Sequence, residues 1–306
     1  MDICLWDKCN NKCVMCTNPV GSWEAWDGSF DYDYASLKKR TLKDRQKFED
    51  DDTIYLTGGE PTIHPDFLRF IDFLSNEFPG KRIVLLTNGR RFCYEKFAKD
   101  LLDRNLNIEI HVSLYGHNES VHEKITQVKG SYDQSIVGIQ NLLKHKKPEQ
   151  VLAVRHVLSS VSYKYIKNFL ELIVDEIPLV DRVILMFWEI EAQAESNFDY
   201  LKLKYSDTVD FIKEVSCFLD KINEISLYHF PLCQINESLW PVVWCTWPEH
   251  EITWLPVCKQ CQVKKYCVGI HKAYLKNIGD KEFKPIKNKR NIKESGNIYQ
   301  PIKAVH

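Results

Sequence analysis

Apolar residues in this chain gather into short runs, separated by longer stretches where they recur every three or four positions. The runs Asp2 to Trp6, Thr53 to Thr57, Arg82 to Thr87, Asn107 to Leu114, Val151 to Leu158 and Val183 to Trp188 are rich in β-branched and aliphatic residues. Each predicts a mostly buried strand. Between them, Phe67-Phe70-Ile71-Leu74, Phe97-Leu101-Leu102, Ile136-Ile139-Leu142-Leu143 and Ile166-Phe169-Leu170-Leu172-Ile173 follow the helical period, with one apolar face. Strict alternation of strand and helix predicts an α/β fold with a parallel sheet and helical crossovers over residues 1–200. Six such units fall short of a closed eight-fold barrel, so a partial (β/α)6 TIM-like barrel is expected, with functional groups at the C-terminal strand ends.

The pattern changes in residues 201–306, read as a second domain. A helix is predicted over Thr208 to Asn223. The segment Ile225 to Tyr274 is rich in Trp, Pro and Cys with little periodicity, which predicts a small loop-rich module lacking a large core. Lys276 to His306 has few apolar residues and reads as an extended tail. From Lys259 onward there are 12 Lys or Arg against 3 Asp or Glu, a formal +9, whereas the preceding residues carry -10.

Overall composition is that of a folded protein, with 44% hydrophobic and 27% charged residues and a formal net charge of -1. That balance predicts no polyanion partner for the whole chain. Without a long apolar run or a basic-then-apolar opening, membrane and secreted readings are poor, and a cytoplasmic location is expected. In that reducing setting the 11 cysteines point to metal ligation rather than disulfides. Cys4, Cys93 and Cys217 sit alone and read as small buried hydrophobes.

The remaining thiols are grouped. Cys9-Asn10-Asn11-Lys12-Cys13-Val14-Met15-Cys16 places three at C-x3-C-x2-C just after the first strand. Three thiolates on a 4Fe-4S cube leave one iron free to bind something else, whereas a zinc knuckle lacking its fourth ligand is the competing reading. Gly58-Gly59-Glu60-Pro61 ends the second strand, where paired glycines let a backbone approach a ligand closely. The second thiol group is Cys258-x2-Cys261-x5-Cys267, with Cys233 and Cys245 upstream, and such spacing in a core-poor module calls for a metal, zinc included.

Together the two N-terminal motifs resemble the radical S-adenosylmethionine (radical SAM) superfamily; only Met15 departs from the more usual aromatic. The resemblance implies a 4Fe-4S cluster on Cys9, Cys13 and Cys16. It implies S-adenosylmethionine (SAM) beside Gly58, Gly59, Glu60 and Pro61, with Asn88, Ser113 and Arg155 at later strand ends. The C-terminal thiols are similar to the SPASM and twitch extensions that carry auxiliary clusters, implying a second 4Fe-4S cluster on Cys258, Cys261 and Cys267 with Cys233 or Cys245 as fourth ligand; the maturase resemblance that follows implies Cys233, with Cys245 spare. Leu232-Cys233, Leu239-Trp240-Pro241 and the downstream cysteines resemble maturases of the His-Xaa-Ser peptide systems, as do Leu114-Tyr115 and His122-Glu123-Lys124-Ile125.

The implied activity is reductive cleavage of SAM to a 5'-deoxyadenosyl radical that abstracts hydrogen from a ribosomally made precursor peptide. An electron donor such as flavodoxin or ferredoxin is implied, and no membrane or nucleic-acid partner is expected. An acidic leader would be held by Lys284, Lys287, Lys289 and Arg290, against the plainer reading of a solvated tail. A nucleoside, sugar or other small metabolite is the alternative substrate. The non-enzyme alternative is a zinc or iron-sulfur module recruiting a partner, RNA among them, through its basic end. No catalytic acid or base can be named; Glu189 and Glu191 follow the sixth strand and are placed to face the cavity, as Tyr115 and Trp188 are to line it.

Overall fold

The computed structural model describes residues 2–18, 31–288, 292–293 and 303–304. The chain divides into two units, Met1–Arg155 with Leu179–Asp181, and His156–Pro178 with Arg182–His306. The first contains β1 (Asp2–Trp6), α1 (Tyr34–Lys43), α2 (Arg45–Asp50), β2 (Thr53–Gly58), α3 (Phe67–Glu77), β3 (Arg82–Thr87), α4 (Glu95–Leu102), β4 (Ile108–Ser113), α5 (Glu119–Thr126), α6 (Ser131–His145) and most of β5 (Val151–Leu158). Strands β1 to β5 lie side by side in chain order and all run parallel. Their C-terminal ends therefore share one edge, and the loops that leave them converge.

Local chemistry explains these elements. In β2, buried and half-buried residues alternate, as a pleated strand requires. Strand β4 is buried almost throughout, and its two ionisable residues meet on the same face: His111 Nε2 lies 2.7 Å from Glu109 Oε1, whose other oxygen lies 3.4 Å from Arg82 Nη1. Helix α3 buries Phe67, Phe70, Ile71 and Leu74, the face its periodicity predicts. Asp33 caps α1 by accepting from the Ala35 and Ser36 N–H groups at 2.7 and 3.1 Å.

The second unit contains α7 (Ile166–Glu176), β6 (Arg182–Phe187), α8 (Ala192–Ser196), α9 (Phe198–Leu201), α10 (Val209–Ser216), β7 (Ile225–Tyr228), β8 (Val243–Trp244), β9 (Ile252–Thr253), β10 (Ile270–His271), α11 (Lys272–Asn277), β11 (Ile292–Lys293) and β12 (Lys303–Ala304). Strands β6, β7 and β8 are parallel neighbours. The six expected strands are present, and β7 and β8 add to them; β8 is too short to announce itself by pattern.

Three expectations need correction in this unit. The helix predicted to Asn223 stops at Ser216, because Ser216, Cys217 and Asp220 are weak helix formers and tighter bonds take over, such as Phe218 N–H to Val215 O at 3.0 Å. Cys217 is exposed at that helix end rather than buried; in the first unit, Cys4 and Cys93 are half-buried. The Trp-, Pro- and Cys-rich segment has a core after all: its Phe230, Leu239, Trp240, Val263 and Tyr274 are buried. Tyr205 stacks on Phe187 at 4.0 Å, packs on Tyr274 at 4.8 Å and donates from its hydroxyl to the His229 carbonyl at 2.8 Å. Beyond it, Phe283 is buried, Gln262 N–H donates to Ile286 O at 2.8 Å, and β11 pairs antiparallel with β12. Among the described residues no helix is long and apolar enough to cross a membrane.

Candidate active site

The cysteine loop begins where β1 ends and is held from three sides. Helix α5 offers its last carbonyls, which no helical N–H reaches: Lys12 N–H donates to Thr126 O and Val14 N–H to Ile125 O, each at 2.9 Å. From the turn after β3, Asn88 Nδ2 donates to Asn10 Oδ1 at 2.6 Å and lies 3.9 Å from Cys9 Sγ. Arg90, in the 3-10 turn Arg90–Cys93, donates to the Asn10 carbonyl, to Asn11 Oδ1 at 2.8 Å and to Gln134 Oε1 at 2.7 Å. Sequence reasoning missed Arg90; its only signal was its place just past a strand-end glycine.

The Gly58-Gly59 pair supports the same loop. A Cβ on Gly58 would meet Trp6 O at 2.4 Å, and one on Gly59 would meet Lys8 O at 2.3 Å. Gly58 also has φ +121°, outside the usual range of L side chains. Gly59 N–H donates to Trp6 O at 2.6 Å and Glu60 N–H to Lys8 O at 2.8 Å. Glycine is thus required here by the approach of the cysteine loop itself, a reason the motif alone did not disclose.

Glu60 is fully buried and accepts from Thr62 N–H, Thr62 Oγ1, Thr87 Oγ1 and Asn88 N–H, at 3.1, 2.6, 2.7 and 2.7 Å. Burial pushes its carboxyl up, and these four donors pull it back. Its side chain therefore ties the end of β2 to the end of β3. Pro61 opens the short 3-10 turn Pro61–Ile63 that follows.

The three thiols lie close enough to influence one another. Burial pushes the Cys9 thiol up to about 11, and neighbouring Glu60 and Cys16 add to the rise. Burial, then Cys16 and Cys9, push Cys13 well above the ordinary thiol range. Cys16 donates to Asn18 O at 2.9 Å, and Asn18 Nδ2 donates to Gly58 O at 2.8 Å. Three converging, part-buried thiols with no fourth protein ligand in their motif match the donor set of an iron-sulfur cluster with one open iron.

The ends of β4 and β5 meet this cluster of thiols through Tyr115. Ser113 pairs in register with Arg155, and Leu114 N–H donates to Arg155 O at 2.9 Å. Burial pushes the Tyr115 hydroxyl far up and the nearby Cys13 adds to it; its bond to Ser113 opposes the rise, Cys16 adds again, and Arg155 opposes. Cys13, Cys16 and Arg155 thus all act on Tyr115 through their charge, and Ser113 bonds its hydroxyl. In the second unit, Trp188 is buried, donates to Leu203 O at 2.9 Å and packs on Phe198.

In the second unit, Cys233, Cys258, Cys261 and Cys267 line one small cavity, walled by apolar residues including Val263 and Phe283. Leu232 N–H approaches Cys267 Sγ at 3.4 Å, and burial pushes the Cys267 thiol up to about 12. Cys245 does not line that cavity; its thiol points to Tyr266 O at 3.8 Å. Four thiols around one apolar cavity suit a four-ligand metal or cluster site. Lys284 borders this cavity and Lys287 is exposed, while Lys289 and Arg290 fall outside the described residues. Glu189 bonds Trp247 Nε1 at 3.0 Å and Glu191 lies 3.2 Å from His271 Nε2, so neither stands in open solvent as a plain loop carboxylate.

Known proteins are similar to part of this chain. Mycofactocin maturase MftC of Mycolicibacterium smegmatis is 30% identical over 147 residues, 46% of this chain and 34% of that protein. GTP 3',8-cyclase of Nautilia profundicola is 30% identical over 138 residues, 45% of this chain and 41% of that protein. The chain spans less than half the length of these curated relatives. SuiB of Streptococcus suis, solved bound to its precursor peptide SuiA, has a similar fold with TM-score 0.53 at 16% identity, covering 73% of this chain and 47% of that one. A sequence model described as the radical SAM superfamily matches residues 3–173, more than half of the chain. With that match on the same strands and loops that gather Cys9, Cys13 and Cys16, the chain belongs to the radical SAM superfamily.

Proposed function

We propose that this chain is a peptide-modifying radical SAM enzyme that works on a ribosomally made precursor peptide, in the cytoplasm, with a flavodoxin or ferredoxin as electron donor. Cys9, Cys13 and Cys16 would hold the 4Fe-4S cluster, and Cys233, Cys258, Cys261 and Cys267 an auxiliary one. When bound, the cluster and SAM supply one-electron cleavage of a carbon-sulfur bond and a 5'-deoxyadenosyl radical.

The chain's own residues hold and shield that chemistry. Arg90, Asn88 and the α5 carbonyls fix the cysteine loop, so the thiols stay in place while an electron arrives. Gly58, Gly59, Glu60 and Pro61 form the turn beside it. Ser113 and Arg155 offer a hydroxyl and a guanidinium near Cys13 and Cys16, and the guanidinium suits the carboxylate of SAM. Tyr115 fills the space next to these groups and keeps water from them.

The observation that carries the peptide reading is the second thiol set, four cysteines around one cavity, which is separate from the first trio and suited to an auxiliary cluster. The name of the mycofactocin maturase and the peptide-bound SuiB fold support it. Comparable identity to GTP 3',8-cyclase supports a second reading, a nucleotide substrate.

The experiment is anaerobic incubation of the cluster-loaded protein with SAM and reductant, either with short peptides encoded beside its gene or with GTP. Peptide-dependent loss of hydrogen from the peptide, coupled to 5'-deoxyadenosine, is the expected result. Consumption of GTP with every peptide unchanged would replace the peptide reading with the nucleotide one.

A further inference from the structure

Glu191, Glu251 and His271 of the second unit each bring one ligand atom to a common point, all within 4.8 Å of one another. Three separate chain segments supply them. Glu191 stands at the start of α8, where its carbonyl accepts from Ala194 N–H at 2.9 Å. Glu251 precedes β9 and His271 ends β10, its antiparallel partner: His271 lies opposite Ile252, and Lys272 N–H donates to Glu251 O at 3.0 Å. Backbone bonding thus sets the spacing before any ligand arrives.

The imidazole is also oriented. Trp247 lies between His229 and His271, with ring centroids 4.4 and 5.3 Å away and planes tilted by 12° and 24°. Trp247 is itself held, because its Nε1 donates to Glu189 Oε1 at 3.0 Å. This stack fixes the buried His271 ring with Nε2 directed at Glu191 Oε1, 3.2 Å away. A ring held in one orientation keeps Nε2 aimed at the same point whether or not a ligand is there.

Charge balance points the same way. Glu189, Glu191 and Glu251 meet here, and among the described residues their side-chain partners are imidazoles and the Trp247 indole N–H, with no Lys or Arg. Three carboxylates around the buried imidazole make a net-negative donor group that a divalent ion neutralises. One imidazole nitrogen and two carboxylate oxygens form a borderline donor set suited to zinc or manganese; calcium and magnesium favour all-oxygen sites. The 3.2 Å between His271 and Glu191 already fits the edge of a coordination shell with ligand bonds of about 2.1 Å. Half-buried Glu191 and Glu251 leave the point open to an entering ion.

We propose that Glu191, Glu251 and His271 form a divalent transition-metal site, separate from both thiol sets. It is independent of which substrate the enzyme modifies.

The test uses the full chain with its iron-sulfur clusters loaded and oxidised, stripped of loose metal with a chelator and desalted, then titrated with Mn2+ while free Mn2+ is followed by electron paramagnetic resonance. One Mn2+ should bind per chain and be displaced by Zn2+. Glu251→Gln and Glu191→Gln should each weaken binding by at least about ten-fold, while iron content stays that of the parent. His271→Gln should do the same; if it fails to fold, the two half-buried Glu variants still decide. No binding by the parent chain, or equal binding by parent, Glu191→Gln and Glu251→Gln, would overturn the site.

Discussion

Arg90 and Asn11 are joined by a bond of 2.8 Å from Nη1 to Oδ1, which ties the turn after β3 to the middle of the cysteine loop. The same guanidinium donates to Gln134 on α6 at 2.7 Å, so loop, turn and helix are fixed together. Charge-assisted bonds of this kind contribute about 1.5–3 kcal/mol each. Arg90→Ala should leave the fold intact but let the iron bound by Cys9, Cys13 and Cys16 escape faster to a chelator, with SAM cleavage falling in step. Arg90→Lys keeps the charge but loses the fork, and should fall between the two. An unchanged rate of iron loss in Arg90→Ala would show that the clamp has no such role.

Glu60 predicts a stability effect. Removing its carboxylate strands four donors in a buried place, and each unsatisfied group costs about 1–3 kcal/mol. Glu60→Ala should therefore lose more than ~3 kcal/mol in denaturant unfolding, with the cut in SAM cleavage following from the disturbed ends of β2 and β3. Glu60→Gln keeps one acceptor oxygen but turns an amide toward one of the donors, and its loss should be smaller. A Glu60→Ala chain as stable as the parent would contradict the tie between the strands.

These two residues show how far the sequence could be read. The six strand runs, the helix faces of α3 and α7 and the two thiol groups are local patterns, legible because burial alternates or recurs at fixed periods and because ligand spacing is short. Glu60 was recognised by its motif, yet its four donors come from two strand ends, so its anchoring role needs the folded sheet. Arg90 and the α5 carbonyls were invisible for the same reason. In the second unit, the stack of Tyr205 on Phe187 joins residues with no shared period, and a segment that looked core-poor proved to have one. Cys217 sits alone in a periodic stretch, the pattern of a small buried hydrophobe, yet the helix ends at Ser216 and leaves its thiol exposed.

The raised thiols give a pH prediction for the cluster-free chain. Cys9 is pushed from its ordinary 9.0 to about 11, mainly by burial, so it is protonated at neutral pH. Its alkylation should rise about ten-fold per pH unit and level off only near pH 11. Because the unfolded thiol ionises first, at 9.0, the folded chain binds more protons between pH 9.0 and about 11 and should lose stability as the pH climbs through that window. Alkylation that levels off near pH 9 would show an open, unburied thiol instead.

For the second unit, the choice between Cys233 and Cys245 is decided by iron content. Cys233 lines the cavity with Cys258, Cys261 and Cys267, and Cys245 does not. Cys233→Ala should lose the iron of the auxiliary cluster, whereas Cys245→Ala should keep it. The reverse order would make Cys245 the fourth ligand and Cys233 the spare.

The most direct test of the whole account is the triple change of Cys9, Cys13 and Cys16 to Ala in protein loaded without oxygen, read by iron content and by 5'-deoxyadenosine formed from SAM. The account predicts that about half of the iron remains, bound by the second thiol set, and that 5'-deoxyadenosine is abolished. Continued formation of 5'-deoxyadenosine by the triple variant would contradict it.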